Sequence, residues 1–217
     1  MPRKRRKPHL HRREQWRDLP AVFEEDQLLI GGWQVMQRWE APLMSVLARE
    51  VTVHGGDTLE IGFGMGIAAN EIMARGCRTY TVIEAHPEVA ARARAWGREQ
   101  RMQVTVLEGF WQDIEPALAT QFDGILFDSF PLSRRERGKN HFPFIPRAPR
   151  LLRPGGVLTL FSDETVNFRS AHLRLLLSHF DEVKLLRVDG LKPPVDCVYW
   201  KDTTMVIPVA TKRALHF

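Results

Sequence analysis

The chain has 217 residues, 44% of them apolar, and a formal net charge of +5. This size accommodates one α/β core, and the apolar content excludes a disordered chain. No stretch reaches the ~18 consecutive apolar residues of a membrane span, and no apolar leader follows the start. Two cysteines make no disulfide framework and fit a reducing compartment. We therefore expect a cytoplasmic protein without membrane contact.

The N-terminal segment, residues 2–17, is dense in lysine and arginine and contains a single glutamate. Such a run is typical of a solvated, flexible tail, although it could also hold nucleic acid, anionic lipid or an import receptor. No basic surface with interleaved aromatic residues follows it, which argues against nucleic acid as a partner. We therefore expect a flexible basic tail over residues 1–17 and a single domain over residues 18–217.

Residues 20–50 are predicted to be helical, because Trp33, Met36 and Trp39 recur at helix spacing. In this interpretation residues 18–50 form a helical cap over the functional site.

Met36, Glu40 and Met44 would share one face of that helix, at positions i, i+4 and i+8. A stripe with two methionines is typical of a hydrophobic core. An unpaired buried carboxylate is unfavourable there, however, and could instead await a cationic ligand. The pattern leaves both interpretations open.

The most informative pattern follows a predicted strand at residues 58–61, where Gly62, Gly64 and Gly66 stand at alternate positions. Residues without a side chain let the backbone turn sharply and approach a ligand closely. A helix and a second predicted strand then lead to Glu84, which is placed to bond the two hydroxyls of a ribose. This layout is typical of a nucleoside-cofactor site at the carboxyl edge of a doubly wound sheet.

Two residues distinguish between the possible cofactors. A dinucleotide fingerprint requires glycine or alanine where this chain has Ile67, and the strand end carries an acid, Glu60. A carboxylate suits the sulfonium and ammonium charges of S-adenosylmethionine, directly or through water. The pattern favours S-adenosylmethionine, with an ordinary strand–helix turn as the alternative.

Strands and helical segments alternate along the remainder of the chain, which predicts a mostly parallel sheet with helices on both faces. A turn rich in glycine and proline separates the last two strands and predicts an antiparallel hairpin. Strands are predicted at residues 58–61, 79–83, 103–108, 122–128, 157–161, 182–188 and 198–208, and helices at about residues 66–75, 86–100, 113–119, 140–152 and 165–179.

Asp128 ends one of these strands and precedes a loop with aromatic and proline residues. Catalytic groups gather at such strand ends in this architecture. An aspartate at this place could equally cap a following helix, so the segment alone supports both roles.

Six motifs, VMQRWEAPLM, LEIGFGMGIAA, FWQD, FDGILFDSFP, LLRPGGVLT and KPPVDCVYW, together resemble the guanidinoacetate N-methyltransferases, over about residues 16–212. The stretch IEAHP at residues 83–87 looks closer to the related arginine δ-N-methyltransferases, which act on a ribosomal protein. The resemblance implies a Rossmann-like class I methyltransferase fold with a seven-stranded sheet. It also implies S-adenosylmethionine as the methyl donor, a small guanidino compound as the acceptor and no metal.

The resemblance also implies roles for individual residues. Glu40 and Asp128 would grip the guanidino group, and Asp128 would accept the departing proton. Trp16 would close the pocket, and Met44 would line it. The motifs and the resemblance together predict these cofactor-binding residues: Met36, Glu60, Gly62, Phe63, Gly64, Met65, Gly66, Ile67, Glu84, Ala85, His86, Phe110, Trp111 and Asp128.

A pair of carboxylates suits this chemistry. A guanidinium is planar and stays protonated at neutral pH, so its nitrogens are poor nucleophiles. Two carboxylates in its plane bind it in fork geometry and fix which nitrogen faces the methyl group. Positioning and electrostatics then supply most of the acceleration.

One loop departs from the resembled family. Where guanidinoacetate enzymes bind the substrate carboxylate with backbone amides, this chain has two acids, Asp163 and Glu164. Two negative charges oppose a carboxylate and suit a cationic tail, unless both side chains face solvent. We therefore expect an acceptor other than guanidinoacetate, with free L-arginine as the first candidate.

Two other functions stay open at this point. The chain could be a protein-arginine N-methyltransferase whose basic tail docks on a ribosomal or RNA-associated target, or a non-catalytic module that binds S-adenosylmethionine. The sequence does not distinguish a monomer from a homodimer.

Overall fold

The computed structural model describes residues 13–133 and 135–213, which form a small and a large β-sheet. The strands are β1 (Ala21–Phe23), β2 (Gln27–Ile30), β3 (Trp33–Gln37), β4 (Asp57–Ile61), β5 (Thr79–Glu84), β6 (Gln103–Glu108), β7 (Phe122–Phe127), β8 (Leu152–Leu160), β9 (Glu182–Asp189) and β10 (Thr204–Thr211). The helices are α1 (Arg13–Asp18), α2 (Ala41–Val51), α3 (Ile67–Arg75), α4 (Pro87–Arg98), α5 (Trp111–Ile114), α6 (Ala148–Leu151) and α7 (Ser170–Leu177), with single 3-10 turns at Arg38–Glu40 and Glu115–Ala117.

The large sheet has the strand order β6-β5-β4-β7-β8-β10-β9. Its first five strands pair in parallel, and β10 runs antiparallel to both β8 and β9. The predicted seven-stranded, mostly parallel sheet with an antiparallel C-terminal hairpin is therefore confirmed. Because the chain returns from β6 to the other side of β4, the switch in strand order lies between β4 and β7, where ligands bind in such sheets.

The core consists of two clusters, one on each face of the large sheet. Helices α2, α3 and α4 contribute to one cluster, and α5, α6 and α7 contribute to the other. Strand residues alternate between the two: in β7, Leu126 belongs to the first cluster, whereas Ile125 and Phe127 belong to the second. No helix within the described residues is both long and apolar enough to cross a membrane.

The prediction of a continuous helix over residues 20–50, and hence of a helical cap, is wrong for its first half. The chain forms the antiparallel meander β1-β2-β3 there, and helix α2 begins only at Ala41. Gly31 and Gly32 have φ angles of 56° and 80° and join β2 to β3 in a two-residue hairpin turn. The tight turn thus overrides the three-residue spacing of the apolar side chains.

This correction separates three residues that the sequence placed on one helix face. Met36 lies on β3, Glu40 in the 3-10 turn and Met44 on α2. They therefore do not form a helical stripe.

Several other predicted boundaries also differ from the structure. Successive turns occupy most of the predicted helix at residues 140–152, of which only α6 is helical. The helix predicted at residues 165–179 is α7 alone, and the one predicted at residues 113–119 is α5 with the turn that follows. Strand β8 starts earlier than predicted and β10 starts later.

At the amino-terminal edge of the parallel strands, arginine side chains neutralise the acids. Asp57, at the start of β4, pairs with Arg78 at 2.6 Å and with Arg153 at 2.7 Å, and Asp123 in β7 pairs with Arg153 at 2.5 Å. Hydrogen bonds from Arg78 lower the pKa of Asp57 well below its usual range. The acids at this edge are thus matched by cations of the chain itself.

Candidate active site

The glycine-rich turn and Asp128 meet at the carboxyl ends of β4 and β7. Gly62 has a φ angle of 93°, and a Cβ there would lie 2.1 Å from the carbonyl oxygen of Asp128, so no other residue fits. The Asp128 amide donates a hydrogen bond to the carbonyl of Ile61 at 2.9 Å. These contacts fix the backbone of Asp128 directly beside the turn.

Glu84, the last residue of β5, braces the same turn. Its carboxylate accepts hydrogen bonds from the amide of Phe63 at 2.9 Å and the amide of His86 at 2.8 Å. Burial raises the pKa of Glu84, and these amides oppose that shift. The carboxylate also lines the cavity described below, and its remaining lone pairs can accept further donors such as hydroxyls.

Helix α1 covers one side of this edge. Trp16 is 4% exposed, stacks on Phe130 with 5.1 Å between ring centroids and meets His86 edge-on at 6.3 Å. The prediction of a flexible tail is therefore wrong for residues 13–17, which are helical. The predicted tail at residues 1–12 lies outside the described residues.

A cavity of about 860 Å³ opens at the carboxyl edge of the sheet, between the glycine-rich turn, α1 and the small sheet. This volume is in the range of small-molecule and cofactor sites. The predicted site residues that line it are Trp16, Met36, Glu40, Gly62, Gly64, Glu84, Ala85, Phe110, Trp111, Asp128 and Asp163. The cavity thus brings together two acids, Glu40 and Asp128, that are far apart in the chain.

Glu40 is 2% exposed and is held through one carboxylate oxygen. Its Oε1 accepts hydrogen bonds from the amide of Gln37 at 2.8 Å and from the hydroxyl of Tyr199 at 2.5 Å. The first bond belongs to a capping box of the 3-10 turn, in which Gln37 is the N-cap and Glu40 is the third residue. The described residues donate no side-chain or backbone bond to Oε2, which leaves that oxygen for a ligand.

Both acids have raised pKa values, chiefly because burial removes their carboxyl groups from water. Burial and the neighbouring charge of Asp128 raise the pKa of Glu40 to about 8. Burial and the charge of Asp163 raise the pKa of Asp128 to about 7. Within the described ranges no lysine, arginine or histidine forms an ion pair with either group. A planar cation between them would supply the missing charge and restore ionisation of both.

The loop after β8 directs its two acids differently. Asp163 lines the cavity, with a left-handed φ of 54°. Glu164 instead accepts hydrogen bonds from Arg169 at 2.6 Å and from His172 at 3.1 Å. Contrary to prediction, only one of the pair is therefore available to a substrate.

Two further predicted residues lie away from the cavity lining. Met44 is fully buried in the hydrophobic core beneath α2. Glu60 accepts a hydrogen bond from the hydroxyl of Tyr80, a residue of the neighbouring strand β5, at 2.5 Å. Neither Met44 nor Glu60 therefore lines the cavity. Five other predicted cofactor-binding residues also lie outside the lining: Phe63, Met65, Gly66, Ile67 and His86.

Sequence reasoning missed Tyr199, which lines the cavity and holds Glu40. The motif KPPVDCVYW contains it and was the available signal. A second missed group is the basic loop, which we define as residues 135–139. Its Arg135, Arg137 and Lys139 line the cavity, and the density of positive charge was visible in the sequence.

The lining fits S-adenosylmethionine. The Met65 amide donates to the sulfur of Met36 at 3.3 Å, and a Cβ at Gly64 would lie 2.6 Å from that sulfur, so glycine lets the small sheet close on the turn. Beyond it lie the buried acid Glu84, suited to ribose hydroxyls, and aromatic walls suited to adenine. Among the described residues no three His, Cys, Asp or Glu side chains are arranged to hold a metal ion.

The family model for guanidinoacetate N-methyltransferase matches residues 10–213. A protein arginine N-methyltransferase 2 from Aspergillus oryzae is 30% identical over 209 residues, which cover 88% of this chain and 50% of that protein. The protein of the same name from Saccharomyces cerevisiae is 31% identical over 137 residues, covering 59% of this chain and 32% of that protein. The chain thus spans half or less of the length of these curated relatives.

Solved structures with the same fold include a spermidine synthase from Thermotoga maritima, with a TM-score of 0.64 at 14% identity, covering 89% of this chain and 72% of that one. An O-methyltransferase from Bacillus cereus in complex with SAH has a TM-score of 0.54 at 17% identity and covers 82% of each chain. At such low identity these likenesses establish the doubly wound fold alone.

Proposed function

The chain belongs to the guanidinoacetate N-methyltransferase family, and from this premise we propose that it methylates the guanidino group of a small molecule with S-adenosylmethionine as the donor. The observation that carries the proposal is the convergence of Glu40 and Asp128 in one cavity beside Gly62. Both acids are desolvated and neither is paired with a cation among the described residues, as a site for a guanidinium requires.

In this proposal the cofactor occupies the half of the cavity next to the glycine-rich turn. Glu84 would accept hydrogen bonds from the ribose hydroxyls, and Phe110 and Trp111 would border the adenine. Gly62 and Gly64 would allow the methionine part to approach the backbone closely. The bound cofactor would supply an electrophilic methyl group, the acceptor would supply the attacking nitrogen, and the chain would orient the two and accept the proton.

Glu40 and Asp128 have unequal roles. Tyr199 and Gln37 saturate Oε1 of Glu40, so Glu40 offers one oriented oxygen and serves mainly to position the guanidinium. Asp128 receives no such bond from the described residues, and its pKa of about 7 suits a proton acceptor at neutral pH. As the attacking nitrogen bonds to the methyl group, the methyl–sulfur bond of the cofactor would break and release S-adenosylhomocysteine, and the proton of that nitrogen would pass to Asp128.

Transfer of a labelled methyl group tests the proposal. The wild-type chain is incubated with labelled S-adenosylmethionine and, separately, with guanidinoacetate, L-arginine, agmatine and 4-guanidinobutyrate. We expect a product methylated on a guanidino nitrogen, identified by mass spectrometry. Glu40→Gln should abolish most of it, whereas Arg98→Gln, an exposed control at the end of α4 that does not line the cavity, should not. Cofactor binding without methylation of any guanidino compound would overturn the proposal.

The names of the curated relatives favour a second candidate, a peptide-bound arginine as the acceptor. In that case the purified chain, incubated with labelled S-adenosylmethionine and a protein extract from cells that lack this chain, should label a protein band. None of the small guanidino compounds should then be methylated. Deletion of residues 2–12, which leaves α1 in place, should reduce only the protein activity if the basic segment docks the target.

A further inference from the structure

A third carboxylate shares the cavity with the guanidino-binding pair. Asp163 follows β8 and lines the same space as Glu40 and Asp128. Its charge contributes to the raised pKa values of both acids, which places it within electrostatic reach of them. The cavity lining therefore holds a carboxylate in addition to the pair proposed to bind the guanidinium.

Asp163 accepts a hydrogen bond from the backbone amide of Gly138, and the nearby charge of Arg169 also opposes the rise in pKa that burial causes. Arg169 donates from Nε to Glu164 at 2.6 Å and from Nη2 to the carbonyl of Gly138 at 2.8 Å, so these hydrogen bonds go to other groups than Asp163. No ion pair within 4 Å joins Asp163 to any residue in the described ranges. Burial accordingly raises the pKa of Asp163 above its usual value.

The basic loop lies directly against this acid. A Cβ built at Gly138 would lie 3.7 Å from the Cβ of Asp163, and the Gly138 amide donates a hydrogen bond to the Asp163 carboxylate, so the loop packs against this acid at Gly138. Arg137 lowers the pKa of Asp163 slightly, yet no described acid lies within ion-pair distance of the Arg137 side chain. Arg137 and Asp163 both line the cavity, and their opposite charges lie close enough to interact.

We propose, on the basis of the function proposed above, that the acceptor is a free α-amino acid with a guanidino side chain, of the L-arginine type. Glu40 and Asp128 hold its guanidinium, Asp163 binds its α-ammonium group and Arg137 binds its α-carboxylate. A lone carboxylate tail, as in guanidinoacetate, would be repelled by Asp163. A peptide-bound arginine carries neither charge and would bring no cation to Asp163.

Four compounds with the same side chain separate these contacts. L-arginine has both charges, L-argininamide lacks the carboxylate, Nα-acetyl-L-arginine lacks the ammonium, and Nα-acetyl-L-arginine N-methylamide lacks both and mimics a peptide. We expect kcat/KM to be highest for L-arginine and about tenfold lower or more for each lost charge-assisted bond.

Two substitutions assign each contact to its residue. Asp163→Asn keeps the shape and suits the left-handed backbone, since asparagine tolerates positive φ. It should lower kcat/KM for L-arginine and L-argininamide about tenfold or more, while hardly affecting the two acetylated compounds. Arg137→Gln should lower kcat/KM for L-arginine and Nα-acetyl-L-arginine and spare L-argininamide. Arg98→Gln serves as the exposed control, and calorimetry with S-adenosylhomocysteine verifies that each variant still binds cofactor.

The outcomes distinguish this inference from the function on which it rests. If guanidinoacetate or the peptide mimic is methylated as efficiently as L-arginine, the amino-acid inference is wrong and the guanidino methylation stands. If L-arginine is preferred but each variant affects all four compounds equally, the assignment to Asp163 and Arg137 is wrong. If no guanidino compound is methylated at all, the proposed function itself fails.

Discussion

The two edges of the large sheet hold their acids in opposite ways. At the amino-terminal edge, Asp57 and Asp123 are matched by Arg78 and Arg153. At the carboxyl edge, Asp128 and its neighbours in the cavity have no such partners among the described residues, and burial raises their pKa values. Strand β7 contains one acid of the first kind, Asp123, and is followed directly by one of the second kind, Asp128.

This difference distinguishes acids that stabilise the fold from acids that are left for a ligand. A buried carboxylate that finds its cation within the chain contributes to stability, whereas one without a cation is unfavourable until a ligand brings the charge. Cofactor-side Glu84 is intermediate, because backbone amides rather than cations satisfy it. In the proposed function, the part of the cavity around Glu40 and Asp128 would thus gain its balancing charge only from the acceptor.

The largest effect is expected from replacing Asp128, with Asp123 in β7 as its counterpart at the other edge. Asp128→Asn should reduce methyl transfer by about 10²–10⁴-fold, the range of a general base, because the nitrogen loses its proton acceptor. Cofactor affinity, measured by calorimetry, should stay nearly unchanged. Asp123→Asn is the matched control: it should lower the free energy of unfolding by about 1–3 kcal/mol, since Arg153 loses a partner, and leave turnover per folded molecule unaltered. Equal turnover by Asp128→Asn and wild type would remove Asp128 from the reaction.

A second prediction concerns Tyr199, because Tyr199→Phe removes one of the hydrogen bonds to the carboxylate of Glu40. Loss of a hydrogen bond to a charged group is worth about 1.5–3 kcal/mol, so kcat/KM should fall by roughly 10–100-fold. Because that bond lowers the pKa of Glu40, its removal should move the acidic limb of the pH–rate profile to higher pH. A purely structural role for Tyr199 would reduce activity without displacing the profile. Tyr80, whose hydroxyl bonds Glu60 outside the cavity, provides the control variant Tyr80→Phe.

A smaller effect is expected in cofactor binding. Glu84→Ala should weaken the binding of S-adenosylmethionine by about 1–3 kcal/mol, because hydrogen bonds to a charged acceptor and the support of the turn are both lost. Equilibrium binding of the cofactor measures this directly. Unchanged affinity would show that Glu84 only braces the Phe63 amide.

The smallest effect concerns stability and its dependence on pH. The pKa values of Glu40, about 8, and Asp128, about 7, lie above those of free carboxyl groups. Between pH ~5 and ~8 the native state therefore binds more protons than the unfolded chain, and this pair makes the ligand-free protein less stable as the pH rises. Glu40→Gln should flatten that slope and stabilise the protein at pH 8.5 by roughly 1–2 kcal/mol. Urea unfolding at pH 6 and pH 8.5 provides the measurement, and a steeper slope in the variant would contradict the assignment.

Much of the large sheet and of the cofactor half could be predicted from the sequence. Parallel strands bury both faces and appear as short apolar runs, and the glycines after residue 61 mark a turn that other residues cannot adopt. Asp128 could be placed at a strand end for the same reason. These features depend on local patterns, which a sequence displays directly.

The acceptor half was harder to predict because it depends on contacts between distant segments. Tyr199 reaches Glu40 across 159 positions of the chain. The apolar residues of β3 have a spacing that also fits a helix, and only the paired glycines at 31 and 32 signal the hairpin. Which of Asp163 and Glu164 faces the cavity is decided by Arg169 and His172, whose position no local pattern reveals.

The most direct measurement is proton release when a guanidinium binds. L-arginine is titrated calorimetrically into the complex with S-adenosylhomocysteine at pH 7, in buffers of different ionisation enthalpy. Two buried acids with raised pKa values should release about one proton when a cation settles between them. The heat should therefore change with the buffer, and most of that change should be lost in the Glu40→Gln/Asp128→Asn double variant. Binding with no exchange of protons, or binding of equal strength to the double variant, would contradict the account.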